Sequence, residues 1–190
     1  MKGNPKHNTL RIIGGNWRSR KVSFPNLPQI RPTPDRVRET LFNWLQFDVA
    51  GAKCLELYAG SGILSIEALS RGAQSAVIVD QQPLVCRHID DELTNLDCSR
   101  QKYQIIQQPA AEYLTKTTDS FDIVFLDPPF HSGELEISLQ QITKNGLLND
   151  DASIYVESPI PLNAEEISES WQIYRAKQTG QVCYSLLKPA

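Results

Sequence analysis

The sequence is short of everything that marks a membrane-embedded or exported protein. No apolar run approaches the ~20 residues a spanning helix needs, and the N-terminus, Met1-Lys2-Gly3-Asn4-Pro5, has no apolar stretch of the export-signal kind. The four cysteines, Cys54, Cys86, Cys98 and Cys183, are scattered and form no C-x-x-C pair. Metal-site spacing is therefore missing, no metal is expected, and reduced thiols in the cytoplasm are the simpler expectation. Internal repeats and low-complexity tracts are missing too. What is present is ordinary: 190 residues, 41% hydrophobic and 22% charged, enough for one sizeable core in a globular chain.

Charge is distributed unevenly. Residues 1–40 hold nine Lys/Arg against two acids, a net +7 within a chain whose total is −3, so the remaining 150 residues carry −10. A basic extension on an acidic body is the electrostatic footprint of nucleic-acid binding, or else a solvated tail. Arg11-Ile12-Ile13-Gly14-Gly15-Asn16-Trp17-Arg18 mixes apolar, aromatic and basic residues around a turn signal, which disordered tails rarely do. Residues 10–24 read as a hairpin turning near Gly14-Gly15-Asn16. A connector with Pro25, Pro28, Pro32 and Pro34 follows, and it stays non-helical because each proline disfavours the helical region for the residue ahead of it. Thr33 is the expected N-cap, with Pro34 at the first helical position. In the helix that follows, Val37, Leu41, Trp44 and Leu45 share the core face, while Arg36 and Arg38 are expected toward solvent or a ligand.

From residue 52 apolar runs alternate with helical stretches. Strands are expected over 54–58, 75–80, 103–107, 121–126 and 152–156, with helices over 63–70, 84–96, 110–114 and 135–144. Two final strands, 171–177 and 181–187, are joined at Thr179-Gly180. The expectation is an α/β fold with a doubly wound, mostly parallel, seven-stranded Rossmann-like sheet and an antiparallel C-terminal strand. A small N-terminal β-hairpin extension and connector (1–32) precede that body (33–190).

Two motifs carry chemistry. Glu56-Leu57-Tyr58-Ala59-Gly60-Ser61-Gly62 lies where the first sheet strand hands over to a helix. Glycines there let backbone approach a ligand at the carboxyl edge of the sheet. Glu56, four residues before the first glycine, would repel a pyrophosphate, and Ser65 occupies the third small position of a dinucleotide loop. A carboxylate suits a ligand with an amine or a sulfonium, as in S-adenosylmethionine. Asp80 closes the next strand, where an acid can accept hydrogen bonds from ribose hydroxyls.

The second motif, Asp127-Pro128-Pro129-Phe130, follows the apolar strand 121–126. Its prolines must stop the strand, and a plain terminator is one reading. The other is chemical. An exocyclic base amine is a poor nucleophile because its lone pair is delocalised into the ring. Two acceptors gripping its N–H bonds, the Asp127 carboxylate and the Pro128 carbonyl, draw the nitrogen toward a tetrahedral shape. Phe130 offers a face for base stacking, worth ~1–3 kcal/mol.

These motifs together resemble the bacterial 16S rRNA guanine-N2 methyltransferase family, the RsmD type. The resemblance spans nearly the whole chain. It rests on the segment 11–18, on Arg31-Pro32-Thr33-Pro34-Asp35-Arg36-Val37-Arg38-Glu39-Thr40-Leu41-Phe42-Asn43, on Ala59-Gly60-Ser61-Gly62, and on Glu67-Ala68-Leu69-Ser70-Arg71. Asp127-Pro128-Pro129-Phe130 and Ile154-Tyr155-Val156-Glu157 complete it. It implies methyl transfer from S-adenosylmethionine to the N2 amine of a guanine in 16S rRNA, within the small ribosomal subunit or its assembly intermediate. It implies a catalytic set Asp127, Pro128, Pro129 and Phe130. The cofactor set is Glu56, Ala59, Gly60, Ser61, Gly62, Asp80, Gln108 and Ala110. Arg11, Arg18, Arg20, Lys21, Arg31, Arg36 and Arg38 would meet RNA, and His131 would meet RNA or sit exposed in its loop. His7 and His88 read as surface residues. A monomer acting on neither DNA nor membrane is expected.

Two departures concern the adenosine contacts. Gln82 stands where a second acid often follows the ribose-binding one, and Pro109 stands where class I methyltransferases often hold adenine with a polar residue, leaving Gln108 or a backbone group. Three rivals remain: an N6-adenine methyltransferase using the same amine chemistry, a non-catalytic RNA-binding assembly factor, and a nicotinamide-dependent dehydrogenase. Glu56 and Ser65 disfavour the last.

Overall fold

The computed structural model describes residues 8–28, 30–130, 132–163, 167 and 170–190. A two-stranded antiparallel ribbon, β1 (Asn8–Arg11) and β2 (Lys21–Phe24), precedes α1 (Asp35–Trp44). The body then alternates: β3 (Lys53–Leu57), α2 (Ile63–Ser70), β4 (Ser75–Asp80), α3 (Pro83–Asn95), β5 (Tyr103–Gln107), α4 (Ala110–Lys116), β6 (Phe121–Leu126) and α5 (Glu134–Lys144). Strands β7 (Leu148–Ser158), β8 (Trp171–Thr179) and β9 (Val182–Pro189) close it. The sheet order is β5-β4-β3-β6-β7-β9-β8, parallel from β5 to β7, with β9 antiparallel to both its neighbours. The expected doubly wound sheet with its antiparallel C-terminal strand is therefore what forms.

Central strands β3 and β6 are apolar on both faces because helices cover both. On one face Cys54, Ile78, Ile123, Phe125 and Tyr155 pack with Leu41 of α1, Ile66 of α2 and Ile89 of α3. On the other, Leu55, Leu57, Val124 and Val156 pack with Leu114 of α4 and Ile142 of α5. Val22 of the N-terminal ribbon and Ile12, which directly follows β1, belong to the first of these clusters. The ribbon is thus seated on the body through its own apolar side chains.

Several local expectations shift. The ribbon pairs Asn8 with Phe24 and Arg11 with Lys21, so the connection runs over 12–20 rather than turning at Gly14-Gly15-Asn16. β7 begins at Leu148, with a register shift between Phe121 and Ile123 and Asp151 at φ 61. Thr33 is not the N-cap of α1. Pro34 holds that position without a side-chain cap, its carbonyl accepting from Val37 and Arg38, and the Thr33 hydroxyl is used elsewhere.

Candidate active site

The crossover between β3 and β6, where strand order reverses, opens a cleft of about 590 Å³ at the carboxyl edge of the sheet. The glycine loop forms one wall. Tyr58 takes φ 60, a left-handed conformation that costs a non-glycine residue ~1–3 kcal/mol. It is tied down by a 2.9 Å hydrogen bond between its hydroxyl and that of Ser138 on α5. Gly62 caps α2 at φ 68, and a Cβ there would lie 2.9 Å from the Ile89 side chain, so the loop can pack on α3 only with glycine at this position. Ala59, Gly60 and Ser61 line the cleft; Gly62 supports it from behind.

Sheet register gathers three carboxyl groups. Glu56 pairs with Phe125, which pairs with Tyr155, so these side chains share one face. Two residues further along, and therefore on the same face, Asp127 and Glu157 stand side by side just beyond Leu126–Val156, the last β6–β7 pair, with Glu157 still paired to Tyr184 of β9. All three acids line the cleft. Glu56 accepts a 2.9 Å hydrogen bond from the Ser65 amide in the first turn of α2, and burial pushes its pKa up to about 7 against bonds from Ser65 and Leu64 that pull it down. Asp127 is raised well above the usual carboxylate range, by burial first and then by the charges of Glu157 and Glu56. Glu157 is buried and raised by that burial, while the Thr33 hydroxyl (2.6 Å) and the Tyr155 hydroxyl (3.0 Å), both donating to Oε1, oppose the shift. Pro128 is buried beneath the rim, and Pro129 and Phe130 stand exposed upon it.

Asp80 reaches the cleft at the end of β4. Its Oδ2 accepts from the Gly60 amide at 3.0 Å and its Oδ1 from the Gln82 amide at 2.8 Å, which ties the loop to the neighbouring strand and leaves lone pairs on both oxygens. At the next strand end Pro109 and Ala110 line the cleft. Gln108, also expected there, is not among the lining residues, and its amide donates to the Asp80 carbonyl. The residues missed from sequence are Glu157, Thr33 and Tyr155. The signal for Glu157 was available, since it is an acid ending an apolar parallel strand as Glu56, Asp80 and Asp127 do. Thr33 had no such signal, because its partner is 124 residues away.

Of the basic residues, Arg11, Arg18, Lys21, Arg31 and Arg36 are exposed, and Arg31 lines the cleft. Arg38 is a correction: its side chain is 0% exposed. It donates to the Thr33 carbonyl and the Arg11 carbonyl, each at 3.1 Å, to Glu67 at 2.5 Å and to Asp35. The α1 face carrying Arg38 is turned inward because α2 packs there and supplies the buried Glu67. Arg20 is exposed, but its guanidinium already donates to the carbonyls of Asn95 (2.5 Å) and Leu96 (3.3 Å) at the end of α3. The segment 13–17 is stapled to the end of α2. Amides of Ile13, Asn16 and Trp17 donate to Glu67 Oε1, the Ser70 carbonyl and Ser70 Oγ, and a Cβ on Gly15 would stand 1.9 Å from the Ser70 carbonyl. His88 is half-buried against Ser23, while His7 and His131 lie outside the described residues. Among the described residues no helix is long and apolar enough to cross a membrane, and no group of three or more His, Cys, Asp or Glu side chains is placed to hold a metal ion.

A doubly wound sheet of this order, with a glycine loop and acids at successive strand ends around one cleft, is a Rossmann-like methyltransferase fold. The family described as "Conserved hypothetical protein 95" matches residues 10–188, and the chain belongs to that family. It is similar to Ribosomal RNA small subunit methyltransferase D of Escherichia coli (strain K12), at 41% identity over 93% of this chain and 88% of that protein. The protein of the same name from Haemophilus influenzae is 39% identical over 93% of this chain and 92% of its own length. Among solved structures, yhhF from Escherichia coli superposes with a TM-score of 0.86 at 40% identity, covering 96% of this chain and 98% of that one. The resemblance to the RsmD-type methyltransferases is thereby borne out.

Proposed function

We propose that the protein transfers a methyl group from S-adenosylmethionine to the exocyclic N2 amine of a guanine in 16S rRNA, on the small ribosomal subunit or its assembly intermediate. The observation that carries this reading is the placement of Asp127 and Pro128 in one cleft with Glu56, Asp80 and the glycine loop. Relatives named as small-subunit rRNA methyltransferases support it.

The residues fit the cofactor's chemistry. Glu56 offers a carboxylate to a cationic group, Asp80 keeps lone pairs for hydroxyls, and Pro109 and Ala110 present an apolar wall. When bound, S-adenosylmethionine supplies an electrophilic methyl on a sulfonium. The Asp127 carboxylate and Pro128 carbonyl accept the two N–H bonds of the amine, holding its lone pair toward the cleft, and Phe130 stacks on the base. Once nitrogen bonds carbon it must shed a proton. Asp127, raised by burial and by its neighbours, is a better acceptor for that proton than an ordinary aspartate. Exposed Arg11, Arg18, Lys21, Arg31 and Arg36 contact rRNA phosphates. A loop base, already unstacked, reaches the cleft at less cost than one flipped from a duplex.

The test uses labelled S-adenosylmethionine and small subunits from a strain lacking this gene, with bare rRNA alongside and nucleoside analysis of the product. N2-methylguanosine is expected, with subunits preferred over bare rRNA. N6-methyladenosine without N2-methylguanosine would overturn the assignment.

A further inference from the structure

The amine chemistry of Asp127 and Pro128 does not distinguish guanine from adenine or cytosine, since each carries an exocyclic NH2. What differs is the ring atom beside that amine. In guanine it is N1, which bears a hydrogen; in adenine and cytosine it is an unprotonated ring nitrogen, an acceptor. A site that chooses guanine needs an acceptor next to the group that grips the amine.

Glu157 is placed to be that acceptor. It lies at the end of the β7 ladder beside Asp127, on the same face, and lines the same cleft. It is 5% exposed, and both of its hydrogen bonds, from Thr33 and from Tyr155, fall on Oε1. Oε2 accepts no hydrogen bond from the described residues. Oε2 is not enclosed by protein but belongs to a residue lining the cleft, so a ligand that supplies a donor there gains a charge-assisted hydrogen bond. The two hydroxyl donors also fix the rotation of the group. They come from the connector before α1 and from the sheet itself, so Oε1 is held from two directions and Oε2 is the oxygen left for a ligand in the cleft.

We infer that Glu157 is the base-reading residue, its Oε2 accepting the N1–H of the target guanine while Asp127 and Pro128 hold the adjacent N2 amine. This rests on the guanine reading above and supplies its structural cause. The same geometry rejects adenine, whose N1 lone pair would face a carboxylate lone pair. It also makes the isosteric change informative. In Glu157→Gln the carbonyl must stay at the Oε1 position, because Thr33 and Tyr155 both donate to it. The amide NH2 then occupies the Oε2 position and presents a donor, the wrong group for guanine N1–H.

The experiment uses reconstituted small subunits in which the nucleotide methylated by the wild-type protein, once mapped, is guanosine or 2-aminopurine riboside. The second keeps the 2-amine but has an unprotonated N1. The expected result is that wild-type protein methylates guanosine at least ~10-fold faster than 2-aminopurine, the size of one lost hydrogen bond to a charged group. In Glu157→Gln guanosine should slow at least ~10-fold while 2-aminopurine does not slow, so the preference vanishes or inverts. Wild-type protein that methylates both bases equally overturns the inference without recourse to any variant. So does a Glu157→Gln protein that binds S-adenosylmethionine normally by calorimetry and slows both bases by the same factor, since that marks a merely structural role. N6-methyladenosine as the wild-type product instead refutes the guanine reading itself. N2-methylguanosine with no 2-aminopurine discrimination refutes only the role of Glu157.

Discussion

Replacing Arg38 with alanine should unfold the protein's N-terminal bracket rather than weaken RNA binding. Arg38 is fully buried and ties three segments together: the Arg11 carbonyl at the end of β1, the Thr33 carbonyl ahead of α1, and Glu67 on α2. Its removal strands Glu67, whose carboxylate is 0% exposed and would retain one arginine partner, Arg71, at 3.4 Å. Breaking a buried pair from one side costs ~3–5 kcal/mol, far more than the ~0–1 kcal/mol of a surface pair. Against a total stability of ~5–15 kcal/mol, that is a large share. In urea denaturation followed by circular dichroism, with a slope of roughly 2 kcal/mol per molar, the midpoint should fall by ~1.5–2.5 M. The paired replacement Arg38→Met with Glu67→Leu should recover part of the loss, because no lone carboxylate is left buried, while the Ile13 amide and the Arg11 and Thr33 carbonyls still lose their partners. An Arg38→Ala protein with unchanged midpoint and weakened rRNA binding would refute this, and would return Arg38 to the RNA surface.

Three further outcomes follow from the site and its basic approach. Asp127→Ala should abolish transfer while leaving S-adenosylmethionine affinity by calorimetry within a few-fold, since Asp127 grips the amine rather than the donor; an active Asp127→Ala protein would sink the mechanism. Glu56 is raised from 4.5 to about 7, so the ligand-free fold binds its proton more tightly than the unfolded chain does. Its contribution is fully present below pH ~4.5 and fades as pH rises through ~7, a loss of about 3 kcal/mol at ~1.4 kcal/mol per unit. Denaturation of Glu56→Gln across that window should show a flatter pH dependence than wild type, and an identical slope in the two proteins would refute the assignment. Arg18→Ala should weaken rRNA binding and reduce the salt slope by ~1 for each phosphate the side chain no longer neutralises. Arg20→Ala should instead act mainly on stability, by loosening the end of α3, and a salt slope changed only by Arg20→Ala would reverse the two roles.

The element order and the glycine loop were legible in the sequence because each is a local matter. Period-2 and helical patterns report burial of neighbouring residues, and strands 75–80, 103–107 and 121–126 and helix 63–70 fall where those patterns put them. Glu56, Asp80 and Asp127 were legible for a related reason. An acid ending an apolar parallel strand has no place in a core and must face the carboxyl-edge opening. Glu157 obeys the same rule, but its use depends on a hydroxyl 124 residues upstream.

Charge and spacing alone misassigned Arg38, and they gave no sign that Arg20 holds two carbonyls at the end of α3. The basic segment before residue 40 looked like one RNA-facing surface, but a sequence does not say which of its guanidiniums have a buried carboxylate or a helix terminus waiting for them. Sequence by itself determined the alternation of strand and helix, the turn glycines and the acids that end the strands, since backbone preference and burial pattern act over a few residues. Tertiary structure alone decided that Thr33 serves Glu157 rather than a helix cap, that Arg38 lies in the interior, and that Glu157 joins Glu56, Asp80 and Asp127 in one cleft. Those outcomes come from parallel register and helix packing, which bring together groups whose positions along the chain carry no record of the meeting.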